Sequence, residues 1–150
     1  MLKVHAQTAC GLLLAIMLQL ASTDSLAETT AQTAESQIKT LIAKTYDKPE
    51  HKVETAPVVV SGDYAIADWI QAKNGGSALL SKKQGQWEIL ACGGDGFKDA
   101  TVLKDAGIPA PAIKDLLTKL KAAEQSLSPD RVKQFGLYGT PAAADHHHHH

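Results

Sequence analysis

Residues 58–92 read VVVSGDYAIADWIQAKNGGSALLSKKQGQWEILAC, and the alternation within this stretch decides the fold. Val58-Val59-Val60 runs into Ser61-Gly62-Asp63, a tight-turn signal. Tyr64 to Gln71 then alternates, with Tyr64, Ile66, Asp68 and Ile70 on one face and Ala65, Ala67 and Trp69 on the other. Asn74-Gly75-Gly76 marks a second turn, Ser77 to Lys82 a third strand, and Gln84-Gly85 a third turn. Trp87 to Cys92 forms the last strand, where Trp87, Ile89 and Ala91 share one face and Glu88, Leu90 and Cys92 the other. Short turns between four strands predict an antiparallel meander.

Outward from the sheet the period changes. Upstream, Ile38, Leu41, Ile42 and Thr45/Tyr46 fall on one helical face, which Lys48-Pro49-Glu50 ends. Glu28 to Gln37 is small and polar, a flexible lead-in. Downstream, Asp95 is placed to cap a helix over Gly96 to Ala106, with Gly107 as its left-handed terminus and Ile108 returning to Leu103. Pro111 suits the first turn of a second helix, whose stripe is Ile113, Leu116, Leu117, Leu120 and Leu127. Ser128-Pro129 restarts a short helix with Val132 and Phe135. The fold class is α+β: an N-terminal helix, a four-stranded meander sheet, then C-terminal helices packed on one face. A helix leaning on such a sheet is also analogous to half of a cystatin-like or NTF2-like cone.

The ends of the chain speak to compartment. Lys3 precedes an apolar run from Gly11 to Ala21, and Ser25-Leu26-Ala27 matches a small-x-small cleavage pattern. That run has 11 residues, whereas a bilayer-spanning helix needs about 20. Residues 1–27 therefore read as a signal peptide and the mature chain as an exported, periplasmic protein with no membrane span. Cys10 precedes the apolar run, which is not the placement of a lipoprotein cysteine. Domain organisation follows: leader 1–27, lead-in 28–37, one α+β domain over 38–135, and a tail over 136–150.

Composition narrows the functional classes. The 150 residues carry 15 Lys+Arg against 16 Asp+Glu, so nucleic acid, which needs a clustered basic excess, is not the expected partner. Aromatics make up 5%, too few for a stacking platform. Two cysteines supply neither a disulfide scaffold nor a four-Cys zinc site. After loss of the leader the chain keeps no Met, one Cys and six His. Thioether copper sites are thereby excluded.

Several strings occur in a characteristic order. Tyr46-Asp47-Lys48-Pro49-Glu50 precedes Pro57-Val58-Val59-Val60 and Gly62-Asp63-Tyr64-Ala65-Ile66-Ala67-Asp68-Trp69. Gly75-Gly76, Ala78-Leu79-Leu80, and Gly85-x-Trp87 leading to Leu90-x-Cys92-x-Gly94-Asp95 follow, then Lys98-Asp99-Ala100 and Leu103-x-x-Ala106-Gly107-Ile108-Pro109. Over residues 38–135 this series resembles the small exported bacterial proteins called copper uptake system-associated proteins. The resemblance implies a periplasmic accessory role beside other copper-uptake proteins and not a known reaction, and it assigns neither a copper ligand nor a catalytic residue.

Candidate ligands are few. His146, His147, His148, His149 and His150 offer neutral imidazoles for Cu(II), suited to loose capture. An affinity tag is the other reading of such a run; five histidines and a retained leader favour a native tail. Cys92, before Gly93-Gly94-Asp95-Gly96 and a helix start, is a candidate soft ligand or reactive thiol. Its alternative is a small buried residue facing the covering helices beside Leu90. The glycine corner lacks a phosphate-loop ending and fits a tight turn better than an anion nest. Trp69 and Trp87 are core residues or the lining of a ligand groove. Asp63, Asp68 and Glu88 are scattered acids and not an acid/base pair; Lys119, Lys121 and Glu124 mark the solvated side of a helix. His51 reads as a loop residue. The expected function is a non-enzymatic accessory protein of copper uptake. The alternatives are a small-ligand or protein-binding module without a metal role, or a thiol enzyme using Cys92, which would need a nearby base.

Overall fold

A computed structural model describes residues 23–139, with side chains from Leu26 and then from Thr30 onward. The order is α1 (Thr23–Tyr46), β1 (Glu54–Ser61), β2 (Tyr64–Gln71), β3 (Asn74–Lys83), β4 (Gln86–Gly93), a 3-10 turn (Asp95–Lys98), α2 (Ala100–Asp105), α3 (Ala110–Gln125) and α4 (Pro129–Phe135). The four strands pair in sequence order, all antiparallel, so the fold is α+β with a meander sheet.

The alternation of β2 sorts the two cores. Ala65 and Ala67, with Ala78 and Leu80 of β3, point to α1, which covers them with Ala34, Ile38 and Ile42. Residues four apart share a helical face, which is why these three line up. Ile66 and Leu79 point the other way, against Phe97 of the 3-10 turn, Leu103 of α2, Ile108 in the link that follows it, and Ile113, Leu116 and Leu120 of α3. Both sheet faces are thus covered by helices.

Several local expectations are corrected. Glu28 to Gln37 is helical within α1 and buries Ala34, so it is not a loose lead-in. The second hairpin turns at Ala72-Lys73, with Ala72 at φ 54°, while Asn74-Gly75-Gly76 belongs to β3. Those glycines mark close approach. A Cβ on Gly75 would lie 2.4 Å from the Gln134 carbonyl oxygen, and one on Gly76 2.8 Å from the Trp69 ring. Asp95 opens the 3-10 turn, and Asp99 is the true cap of α2, accepting from the Thr101 N–H at 2.7 Å. Asp99 reaches that N–H from an extended backbone, as a cap residue must. Pro111 sits one residue deeper than the first helical position, because Ala110 opens α3.

Other expectations hold. Gly107 has φ 87°, and the Ile108 N–H reaches Leu103 O at 3.1 Å while Gly107 N–H reaches Lys104 O at 2.9 Å, the paired bonds of a Schellman ending. Ser128 caps α4 with Pro129 in its first turn, and Phe135 is fully buried. α4 is pinned to the β2–β3 hairpin by Gln134 Nε2, which donates to Ala72 O at 3.0 Å and Asn74 O at 3.1 Å. Among the described residues no helix is long and apolar enough to cross a membrane.

Candidate functional site

Cys92 owes its position to an irregularity that alternation cannot foresee. Leu79 pairs with Ala91 but Leu80 pairs with Ile89, so Leu90 is an extra residue in β4. One inserted residue reverses which face the rest of the strand presents. Cys92 therefore joins Trp87 and Ile89 on the α1 face, while Leu90 is left exposed. The expectation that Cys92 lies beside Leu90 under the C-terminal helices is overturned by this bulge.

On the α1 face the half-buried thiol meets the end of α1. Tyr46 Oη lies 3.4 Å from Cys92 Sγ. This contact, burial, and the charges of Cys92 and Tyr138 push the Tyr46 phenol up to about 12. The Tyr46 carbonyl accepts from Gln71 Nε2 at 2.8 Å, and the same amide nitrogen donates to His51 O at 2.9 Å. Gln71 thus ties the last strand residue of β2 to the loop after α1. Trp69, two residues earlier, lies over Gly76 and receives the edge of Tyr138 at a centroid distance of 6.0 Å. Tyr46, Trp69, Cys92 and Tyr138 together form an aromatic rim around a thiol. Trp87 shares the face but sits farther along, buried under α1 with Lys82 Nζ 5.7 Å from its ring centre.

The opposite face holds a cluster that sequence reasoning missed. Asp68 is fully buried, and Ser77 Oγ donates to its Oδ1 at 2.5 Å. Oδ2 has no hydrogen donor among the described residues. Glu124, expected on the solvated side of its helix, is instead 12% exposed, and its Oε1 forms an ion pair with Lys98 Nζ at 2.8 Å. Lys98 also reaches Asp95 at 3.2 Å. Burial pushes the Asp68 carboxyl up to about 7; the Ser77 bond opposes this, while the charge and hydrogen bonding of Glu124 add to it. Burial works against the Lys98 ammonium, but Glu124 and Asp95 outweigh it and hold Lys98 above the ordinary lysine value. The alternation places Asp68 on the face of Ile66 and Ile70, and a charged residue among apolar ones is the available signal that a partner must exist.

The remaining candidates disperse. Asp63 and Glu88 are exposed and far along the strands from Asp68, with Glu88 3.8 Å from Lys83. Among the described residues no group of three His, Cys, Asp or Glu side chains could hold a metal. Residues 1–22, including Cys10 and the apolar run, and His146 to His150 lie outside the described residues. The Gly93–Gly96 corner is a packing junction: Gly93 faces the Phe97 ring, and a Cβ on Gly94 would lie 3.1 Å from Gly136 O. Among the described residues, one surface groove of about 590 Å³ lies between α2 and α3 against Ile108, Ile113 and Leu117. Trp87 borders two further grooves along α1. Comparison with known protein families, curated proteins and solved structures returns no match to this chain.

Proposed function

We propose that this chain is an exported, non-enzymatic accessory protein of copper uptake, in which His146 to His150 capture Cu(II) and Cys92 is a soft contact for Cu(I). The sequence resemblance over residues 38–135 supports the copper role. The observation that carries the site is the rim itself: Tyr138, one residue before the end of the described chain, packs on Trp69, beside Tyr46 and the Cys92 thiol. Eleven residues follow Gly139. At most ~3.5 Å per residue, that length is enough for the imidazoles to reach the thiol. Imidazole suits Cu(II) and thiolate suits Cu(I), so the two donor types serve the two oxidation states of one cargo. The folded body contributes one thiol and its aromatic surround, a donor set for contact and not for a closed metal cage.

Calorimetric titration of Cu(II) into the mature chain and into a version ending at Asp145 tests the capture step. Strong uptake by the first and little by the second is the expected result; equal, negligible uptake by both overturns it. Anaerobic Cu(I) competition against a chelator should separate Cys92→Ser from the parent chain. This reading requires that the gene itself encode His146 to His150, and a vector-encoded run removes the Cu(II) arm.

The alternative, a ligand- or protein-binding module without a metal role, draws on the apolar groove between α2 and α3. Its rim carries Lys104 and Lys114, neither in an ion pair among the described residues. Ile113→Asp would abolish partner capture under that alternative and leave Cu(II) uptake intact under the first.

A further inference from the structure

Charge bookkeeping inside the sheet–α3 interface does not close with every group in its ordinary state. Three carboxylates meet one ammonium: Asp68 from β2, Glu124 from α3 and Asp95 from the 3-10 turn surround Lys98. Asp95 is largely open to water, so its charge is solvated. Asp68 and Glu124 are not. Asp68 is fully buried, and one of its oxygens, Oδ2, faces no donor. A buried carboxylate without a donor is costly, and two that approach one another cannot both stay ionised cheaply.

We propose that Asp68 and Glu124 share a single proton, and that this proton latches α3 and the 3-10 turn onto the sheet, so that its release loosens them. In the latched state Asp68 accepts from Ser77 through Oδ1 and donates from Oδ2 to Glu124. Glu124 remains the anion and pairs with Lys98. Every buried polar atom of the cluster then has a partner, and the net charge inside is zero. Loss of the proton leaves two anions facing one ammonium, and the repulsion falls on the join between β2 and α3. Other charged groups near the cluster do not relieve it. Lys121 borders the same pocket as Lys98 and Glu124 but is exposed. Arg131 of α4 is held by Glu54 at 2.6 Å. Ser77 is the polar neighbour from β3 and does not titrate in this range.

The sign of the effect follows from linkage. A carboxyl whose folded value is raised binds its proton more tightly in the folded state than in the unfolded one. Its stabilising contribution is complete below the ordinary aspartate value near 4 and is lost as pH rises to about 7, after which it stays lost. Within that window the unfolding constant should climb by about tenfold per pH unit from this proton alone.

Asp68→Asn isolates the device, because an amide offers Glu124 a permanent donor and keeps an acceptor for Ser77. Urea unfolding of the full chain and of Asp68→Asn between pH 5 and pH 8 provides the comparison. The ratio of their unfolding constants should rise by at least tenfold between pH 5 and pH 7 and then level off. A constant ratio across the range overturns the latch. Carbon-13 carboxyl titration of the unmodified chain gives a second reading that needs no variant. An Asp68 midpoint near neutrality supports the shared proton, and a midpoint below 5 refutes it.

Discussion

The polar cluster at Asp68 and the aromatic rim at Cys92 occupy the same end of one sheet, on opposite faces. Asp68 and Trp69 are adjacent in β2, and they pair across to Ser77 and Gly76 of β3, while Ala78 pairs with Cys92. Their environments nevertheless differ in kind. The Asp68 side is sealed by α3 and the 3-10 turn, so each charge must be answered by another inside. The Cys92 side is only partly roofed by the end of α1, and Tyr46 and Tyr138 remain exposed. Burial depth, rather than residue type, decides what each cluster can do. The sealed side stores a proton, and the open side can meet a ligand.

The strongest way to break the contrast is to unseal the Asp68 side. Leu116 is fully buried in the α3 core, and Leu116→Ala should cost about 2–5 kcal/mol through lost burial and a cavity. Chemical denaturation measures the loss. The pH dependence attributed to Asp68 should flatten in the same variant, because water admitted to the interface solvates the second anion. A flat response already present in the parent chain would erase the distinction between the two faces.

A smaller effect sharpens the open side. A Cβ at Gly76 would stand 2.8 Å from both the Gly93 carbonyl oxygen and the Trp69 ring. Gly76→Ala should therefore displace the indole and uncouple it from Tyr138, at about 1–3 kcal/mol for overpacking. A red shift in Trp69 fluorescence, read in a Trp87→Phe background, is the expected signature. An unchanged spectrum would mean that the rim does not depend on the close approach of β2 and β3.

These two faces also show what could and could not be read from the chain alone. The meander, the residues on each face of β2, and the Gly107–Ile108 helix ending follow from local rules: period two, turn chemistry and a positive φ. The bulge at Leu90 does not, because it is set by how β4 registers against β3, and its consequence was to move Cys92 to the opposite face. Glu124 was misjudged for a similar reason. Its helix has an apolar stripe that predicts the orientation of Leu116 and Leu120, yet an acid at the edge of that stripe turns inward when a buried carboxyl and Lys98 await it. Gly75-Gly76 looked like a turn because glycine serves both turns and close contacts, and only the neighbouring backbone of α4 distinguishes them. Local signals were legible; register and side-chain pairings between separate elements were not.

The smallest expected effect on stability lies at Tyr46, and it is the most specific to the rim. Its side chain is exposed, so Tyr46→Phe should shift folding stability by no more than about 0.5 kcal/mol, as for other surface replacements. The hydroxyl matters in a different observable. With the phenol raised to about 12 by Cys92, burial and Tyr138, ultraviolet titration of the parent should show one tyrosine ionising well above the ordinary value near 10. Because the folded state favours the neutral phenol, the small stabilisation is present below pH 10 and disappears as pH rises towards 12. Tyr46→Phe should delete that late transition and speed alkylation of Cys92, since the hydroxyl 3.4 Å from Sγ no longer shields it. A late transition that persists in the variant would assign it to another tyrosine and detach Tyr46 from the thiol.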